Sequence, residues 1–190
     1  MTTCESSFVK SEKVDKKTKA IFLDRDGTLN VDDHYLADPQ KIRLIEGVKQ
    51  AVEIFIKKEF LLFLFTNQRG IALKMYCQED VVSCNRRLIN LLGNPQFTEI
   101  CIATEVVASP QHYRKPSPKF IHEMVERYSL VRSECFMVGD KENDALAGYY
   151  GRIRSILLDS PYLRSSSTLA LIRAGEITPF KNLIAFAQSL

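Results

Sequence analysis

No apolar run in this 190-residue chain approaches the roughly 20 residues that a membrane-spanning helix needs. The N-terminal stretch MTTCESSFVKSEKVDKK has no apolar signal core, so no export signal is expected and the location is expected to be cytoplasmic. The five cysteines (Cys4, Cys77, Cys84, Cys101 and Cys135) are odd in number, scattered and without CxxC spacing. That excludes a disulfide framework and reads as reduced thiols, buried as small hydrophobes. Charge of one sign is also missing. Lys and Arg number 26 against 23 Asp and Glu, a formal net charge of +3. The only lysine run lies in the first 20 residues, so no nucleic-acid partner is expected. Internal repeats, low-complexity tracts and a GxxxxGK[ST] phosphate loop are absent, and the last absence argues against a nucleotide-dependent kinase. What remains is 45% hydrophobic and 26% charged, an ordinary globular composition on the scale of one core.

Residues 1–18 are polar and Lys-rich, and read as a flexible leader; 19–190 read as a single domain. From there apolar runs alternate with helical patterns. Ala20–Leu23, Phe60–Phe65, Ile100–Ala103, Phe136–Val138 and Ile153–Leu158 are strand candidates. Val48, Ala51, Val52, Phe55 and Ile56 recur at helical spacing, as do Val81, Cys84, Leu88 and Leu91. Ser117 before Pro118 reads as an N-cap followed by proline at the first helical position, opening a helix through Tyr128. Arg164–Thr168 reads as a loop and Asn182–Leu190 as a closing helix. Strands without in-out alternation are buried on both faces, so the expected fold is α/β, a doubly wound parallel sheet. In such a sheet ligands sit beyond the carboxyl ends of the strands.

Polar clusters follow those strands. Asp24-Arg25-Asp26-Gly27-Thr28 follows the first, Thr66-Asn67-Gln68-Arg69 the second, and Gly139-Asp140-Lys141 the fourth; Arg114-Lys115-Pro116 comes some way after the third. One shared edge would gather them. Asp24 and Asp140 are hard oxygen donors with no Cys or His nearby, which suits Mg²⁺ rather than Zn²⁺. Lys115, Arg114, Thr66 and Asn67 supply donors for a dianion. Treating 24–26 as strand puts Asp24 and Asp26 on one face, with Arg25 pointing away. Two carboxylates so placed can divide the work of nucleophile and general acid/base. The bland alternatives are ordinary ones: Gly-Asp is a common turn, Asp140 can cap a helix, Thr66 can cap a strand end, and Asp144 can ride an exposed helix, or else orient Lys115 or support the metal shell.

These residues resemble the motifs of the haloacid dehalogenase-like phosphohydrolases. Asp24-Arg25-Asp26-Gly27-Thr28 is similar to the first motif, and Thr66, Lys115 and Gly139-Asp140 follow in order as the second, third and fourth, across residues 19–160. Closer still is the subgroup of heptose bisphosphate and histidinol-phosphate phosphatases, on DRDGTLN, Asp33-His34-Tyr35, Phe65-Thr66-Asn67-Gln68 and Arg114-Lys115-Pro116-Ser117-Pro118. The resemblance implies that Asp24 attacks phosphorus, that Asp26 protonates the leaving oxygen and then activates water, and that Thr66 and Lys115 bind the phosphoryl oxygens. It implies Mg²⁺ held by Asp24, the main-chain carbonyl of Asp26, and Asp140. Substrate contacts are implied for Asp32, Asp33, His34 and Tyr35, for Asn67, Gln68 and Arg69, and for Arg114 and Lys141.

Two departures stand out. Many members of the subgroup carry a zinc loop before the RKP segment, but Ala103, Glu105, Gln111 and Tyr113 stand where its ligands would be, leaving His112 alone. The 104–113 loop must then be ordered by packing or stay mobile. Arg69 stands where a small residue is usual. There is also no room between the motifs for a large cap domain. The expectation is a monomeric Mg²⁺-dependent phosphomonoesterase with an open site, acting on a small phosphoester, best a sugar bisphosphate. Histidinol phosphate is the alternative substrate, and a non-catalytic binding module on the same fold is a more distant one.

Overall fold

The computed structural model describes residues 18–190. The leader and Cys4 lie outside the described residues, except that Thr18 already opens the first strand. The strands are β1 (Thr18–Leu23), β2 (Leu61–Asn67), β3 (Glu99–Ala103), β4 (Leu130–Gly139), β5 (Arg154–Leu158) and β6 (Ile177–Phe180). The helices are α1 (Val48–Lys57), α2 (Gln78–Leu92), α3 (Lys119–Arg127), α4 (Glu142–Tyr150), α5 (Ser166–Arg173) and α6 (Leu183–Ser189). All six strands run parallel, in the order β3-β2-β1-β4-β5-β6. The chain winds one way from β1 to β3 and then the other way from β4, so the switch point lies between β1 and β4.

Apolar residues on both sides of each strand explain the missing alternation. Ile21, Leu23, Leu62, Leu64, Phe136 and Val138 face α1, α2 and α6. Their neighbours Ala20, Phe22, Phe63, Phe65 and Met137 face α3 and α4. On that second side Phe22 stacks on Phe63 at 4.7 Å between centroids, and Phe120 of α3 sets its edge against Phe22. Fully burying rings of this size stabilises the fold by about 1.5–3 kcal/mol each. Between β1 and α1 the chain makes only turns and a short 3-10 helix at Pro39–Lys41, and between β2 and α2 only turns, so no cap domain is inserted.

Three expectations are corrected, and one strand lacked a sequence signal. Pro118, not Ser117, is the N-cap of α3, although the Ser117 hydroxyl still accepts from the Lys119 amide at 3.3 Å. Residues 166–168 are the first turn of α5, not loop; the Ser165 hydroxyl caps it by accepting from the Thr168 amide. The four-residue β6, with only Ile177 buried, is too short and polar to carry a periodic signal. Cys77 is exposed, whereas Cys84, Cys101 and Cys135 are buried as expected. Burial pushes the Cys101 and Cys135 thiols up to about 12 and about 11, which makes them inert packing groups.

Candidate active site

The carboxyl ends of β1, β2 and β4 open on a cleft of about 330 Å³. Beyond Leu23 the strand geometry stops. The Asp24 amide donates to the Val138 carbonyl, and the chain then curls so that the Arg25 carbonyl accepts from the Leu29 amide at 2.8 Å and the Asn30 amide at 3.1 Å. Gly27 makes the curl possible at φ +88°, where a Cβ would stand 2.3 Å from an oxygen of Asp140. Only glycine fits both constraints.

At the centre lies Lys115, 1% exposed. Its ammonium is 2.6 Å from Asp24 Oδ1, 2.6 Å from Asp144 Oδ1 and 2.6 Å from the Phe65 carbonyl. A buried ammonium is stable only when its donors are filled in this way. Burial draws its pKa down, but Asp144 and Asp24 outweigh burial and hold it above the ordinary lysine range. Asp144 has two tasks: its other oxygen accepts from the Lys141 amide at 3.0 Å and caps α4. Gly139 leaves room for it, since a Cβ there would lie 2.3 Å from Asp144.

Asp140 is the third carboxylate. Donor atoms of Asp24, Asp140 and Asp144 all lie within 4.8 Å of one another, the one such group among the described residues. Asp140 Oδ1 is buried without a hydrogen-bond partner. Burial, with Asp24 and Asp144 adding repulsion, lifts Asp140 to about 8. Burial lifts Asp24 to about 6, against the pull of Lys115. Crowded carboxylates with an orphaned oxygen fit a hard divalent cation, and the all-oxygen donor set suits Mg²⁺. Asp24, Asp140 and the adjoining Asp26 carbonyl would hold it.

The residues expected to touch substrate divide into those facing the cleft freely and those already engaged. Asn67 does not point at the cleft unpaired: its Nδ2 donates to the Lys115 carbonyl at 3.2 Å and its Oδ1 accepts from the Lys115 amide at 3.0 Å. It fixes the lysine's backbone. Gln68 is likewise saturated, donating to Asp26 Oδ2 at 2.9 Å and to the Thr66 hydroxyl at 2.8 Å, and accepting from the Tyr76 hydroxyl. Lys141 pairs with Asp32 at 2.8 Å, beneath the ring of Tyr162, whose hydroxyl donates to the same Asp32 oxygen. Burial alone would raise Asp32, but the hydrogen bonds from Lys141 and Tyr162 outweigh it and lower its pKa. His34 and Tyr35 line the cleft, whereas Asp33 is exposed and does not. Arg69 donates to the Tyr35 hydroxyl at 3.0 Å. Arg114 has a buried Nη1 without a partner, and burial together with the nearby Arg69 lowers its pKa.

Arg25 overturns an expectation. It does not point away; its guanidinium folds back onto Asp26, because 24–26 lie beyond the strand and the period-two rule no longer applies. Tyr76 and Tyr162 were missed, since neither sits in a motif; each arrives from a loop beside the cleft. The 104–113 loop makes polar contacts of its own. Glu105 accepts from the Tyr113 amide at 2.9 Å, His112 Nδ1 bonds the Val107 carbonyl at 3.0 Å, and Lys119 donates to the Gln111 carbonyl.

The family model of haloacid dehalogenase-like hydrolases matches residues 30–149. The chain belongs to this family. It is 32% identical over 151 residues to D-glycero-beta-D-manno-heptose-1,7-bisphosphate 7-phosphatase of Pasteurella multocida, covering 74% of this chain and 80% of that one. It is 31% identical over 158 residues to D-glycero-D-manno-heptose-1,7-bisphosphate 7-phosphatase of Chlorobaculum tepidum, covering 75% and 79%. In fold it is similar to D,D-heptose 1,7-bisphosphate phosphatase of B. bronchiseptica, solved with magnesium and phosphate, with a TM-score of 0.76, 22% identity and coverage of 90% and 97%. Among the described residues no helix is long and apolar enough to cross a membrane.

Proposed function

We propose that this hydrolase is a Mg²⁺-dependent phosphomonoesterase for a small sugar bisphosphate of the heptose 1,7-bisphosphate kind, acting as a cytoplasmic monomer. The observation that carries the reading is Lys115, buried between Asp24 and Asp144 beside the unpartnered oxygen of Asp140. A carboxylate placed to act as nucleophile, a fixed cation and an unpartnered carboxylate oxygen meet at the carboxyl edge. Preorganised positive charge there counters a dianion where aspartates alone would repel it.

In this reading an Asp24 oxygen attacks phosphorus. The ester P–O bond breaks and Asp26 gives its proton to the departing oxygen. Asp26 then takes a proton from water as that water attacks the aspartyl-phosphate, releasing inorganic phosphate and restoring Asp24. Thr66 holds a phosphoryl oxygen through both steps, and Lys115, whose three N–H groups rest on Asp24, Asp144 and the Phe65 carbonyl, turns one of them to the phosphoryl group. Mg²⁺ supplies charge neutralisation of the phosphoryl group. The names of the relatives support the bisphosphate. So do Arg69 and Arg114, two neighbouring cations that line the cleft.

The test is phosphate release with Mg²⁺ across sugar phosphates, sugar bisphosphates and histidinol phosphate. A preference for a bisphosphorylated heptose is expected. Preference for histidinol phosphate would replace the substrate, and no release from any of them would end the enzyme reading.

A further inference from the structure

We propose that Arg25 is the positioning residue of the proton-transferring carboxylate Asp26; this rests on the phosphatase reading above. Arg25 is the largest fully buried side chain among the described residues, 0% exposed. An uncompensated guanidinium there would cost several kcal/mol, so its contacts must be specific. Its Nε donates to Asp26 Oδ1 at 3.0 Å and its Nη2 to Asp26 Oδ2 at 2.8 Å. That is a two-point fork, which fixes the plane of the carboxylate as well as its place. Arg25 is itself anchored. Nη1 donates to Asn85 Oδ1 at 3.0 Å, and Nη2 reaches the Leu36 carbonyl at 3.4 Å.

Asn85 is the second half of the device. It is 3% exposed on the apolar face of α2, between Cys84 and Leu88, where an amide has no packing advantage. Its Oδ1 meets the arginine, which accounts for a polar group in that place. Two further donors complete the hold on Asp26: Asn30 Nδ2 at 3.0 Å on Oδ1 and Gln68 Nε2 at 2.9 Å on Oδ2. The carboxylate of Asp26 is thereby tied through Arg25 to α2 and to the loop backbone that carries Tyr35. To carry its proton Asp26 must release one of the two amide donors, Asn30 or Gln68, while the Arg25 fork keeps the plane of the carboxyl group fixed for transfer.

A residue that aims the acid has a signature that a merely structural one lacks. Proton donation matters for a poor leaving group, such as the alkoxide of glycerol 2-phosphate. It matters little for p-nitrophenolate, which departs unprotonated. In Arg25→Lys, one donor replaces the fork. Turnover on glycerol 2-phosphate should fall about 100-fold, within the span of general acid catalysis, while p-nitrophenyl phosphate falls about threefold. Combined with Asp26→Asn, Arg25→Lys should add no further loss on glycerol 2-phosphate. Asn85→Ala, which leaves the fork intact and removes its anchor, should give the same pattern at smaller amplitude, and it carries the test if Arg25→Lys does not fold. Equal losses on the two substrates, or a loss additive with Asp26→Asn, would overturn the proposal and leave the phosphatase reading standing. Wild-type protein silent on both substrates and on every sugar phosphate, sugar bisphosphate and histidinol phosphate would remove that reading and the proposal with it.

Discussion

The two edges of the sheet make opposite use of charge. At the carboxyl edge, a cleft of about 330 Å³ is lined by Asp24, Lys115 and Asp144, with Asp140 close beside the two aspartates, none of the four more than 5% exposed. At the amino edge, a larger cavity of about 740 Å³ opens among Arg132, Tyr150, Arg152, Arg154 and Glu176, where β4, β5 and β6 begin. Arg132 there donates to the Gly151 carbonyl and Arg154 lies over Phe136, while Tyr150 is half exposed. The larger hollow holds solvated charge and the smaller one holds buried charge. Desolvated ions that remain in place are costly, so burial of charge, and not volume, marks the reactive edge.

The sharpest break of that comparison is Asp24→Asn, nearly isosteric, which should lower phosphate release by at least about 10⁴-fold while the melting temperature stays near that of the wild type. Activity near wild type would move the nucleophile elsewhere. Next is Lys115→Ala, expected to cost about 3 kcal/mol of transition-state stabilisation, read from kcat/KM. Metal linkage follows. In metal-free protein the raised carboxyl groups, about 6 for Asp24 and about 8 for Asp140, hold protons that the unfolded chain has already lost. Stability should therefore fall as pH rises from about 4 to about 8. Mg²⁺ competes with those protons, so its stabilisation of the melting temperature should be larger at pH 8.5 than at pH 5.5. Equal shifts at both pH values would remove Asp140 from the metal site.

Two smaller effects sharpen the same contrast. Arg69→Ala should raise KM for a sugar bisphosphate by up to about fivefold, the scale of an exposed ion contact, and leave KM for a monophosphate unchanged. Arg152→Ala, at the amino edge, should change stability by less than about 0.5 kcal/mol and turnover not at all. A measurable loss of turnover there would give the larger cavity a role.

Much of the carboxyl edge was readable because it follows directly from the strands. Leu23, Phe65 and Val138 end runs buried on both faces, and the parallel order then places Asp24, Thr66 and Asp140 together. Lys115 was readable only through the spacing of motifs, since it comes from a loop twelve residues past β3. Arg25 was misread because period-two geometry was carried past the end of a strand. Asn67 and Gln68 stand among expected contacts, but their side chains are spent on the Lys115 backbone and on Asp26. Residue type reveals that a donor is present; it does not reveal what consumes it.

The amino-acid sequence by itself determined the parallel sheet and the set of carboxylates and cations at its carboxyl edge. Hydrophobic periodicity and strand direction are local properties, and they propagate to the whole sheet through short right-handed connections. Only the tertiary structure decided the pairing: Lys115 between Asp24 and Asp144, Arg25 gripping Asp26 through Asn85, and Asp140 with an oxygen to spare. Those pairings depend on burial and on angles, and two of them join residues 60 and 91 positions apart. A buried charge takes whichever partner the packing brings within about 3 Å, and no local pattern encodes that choice.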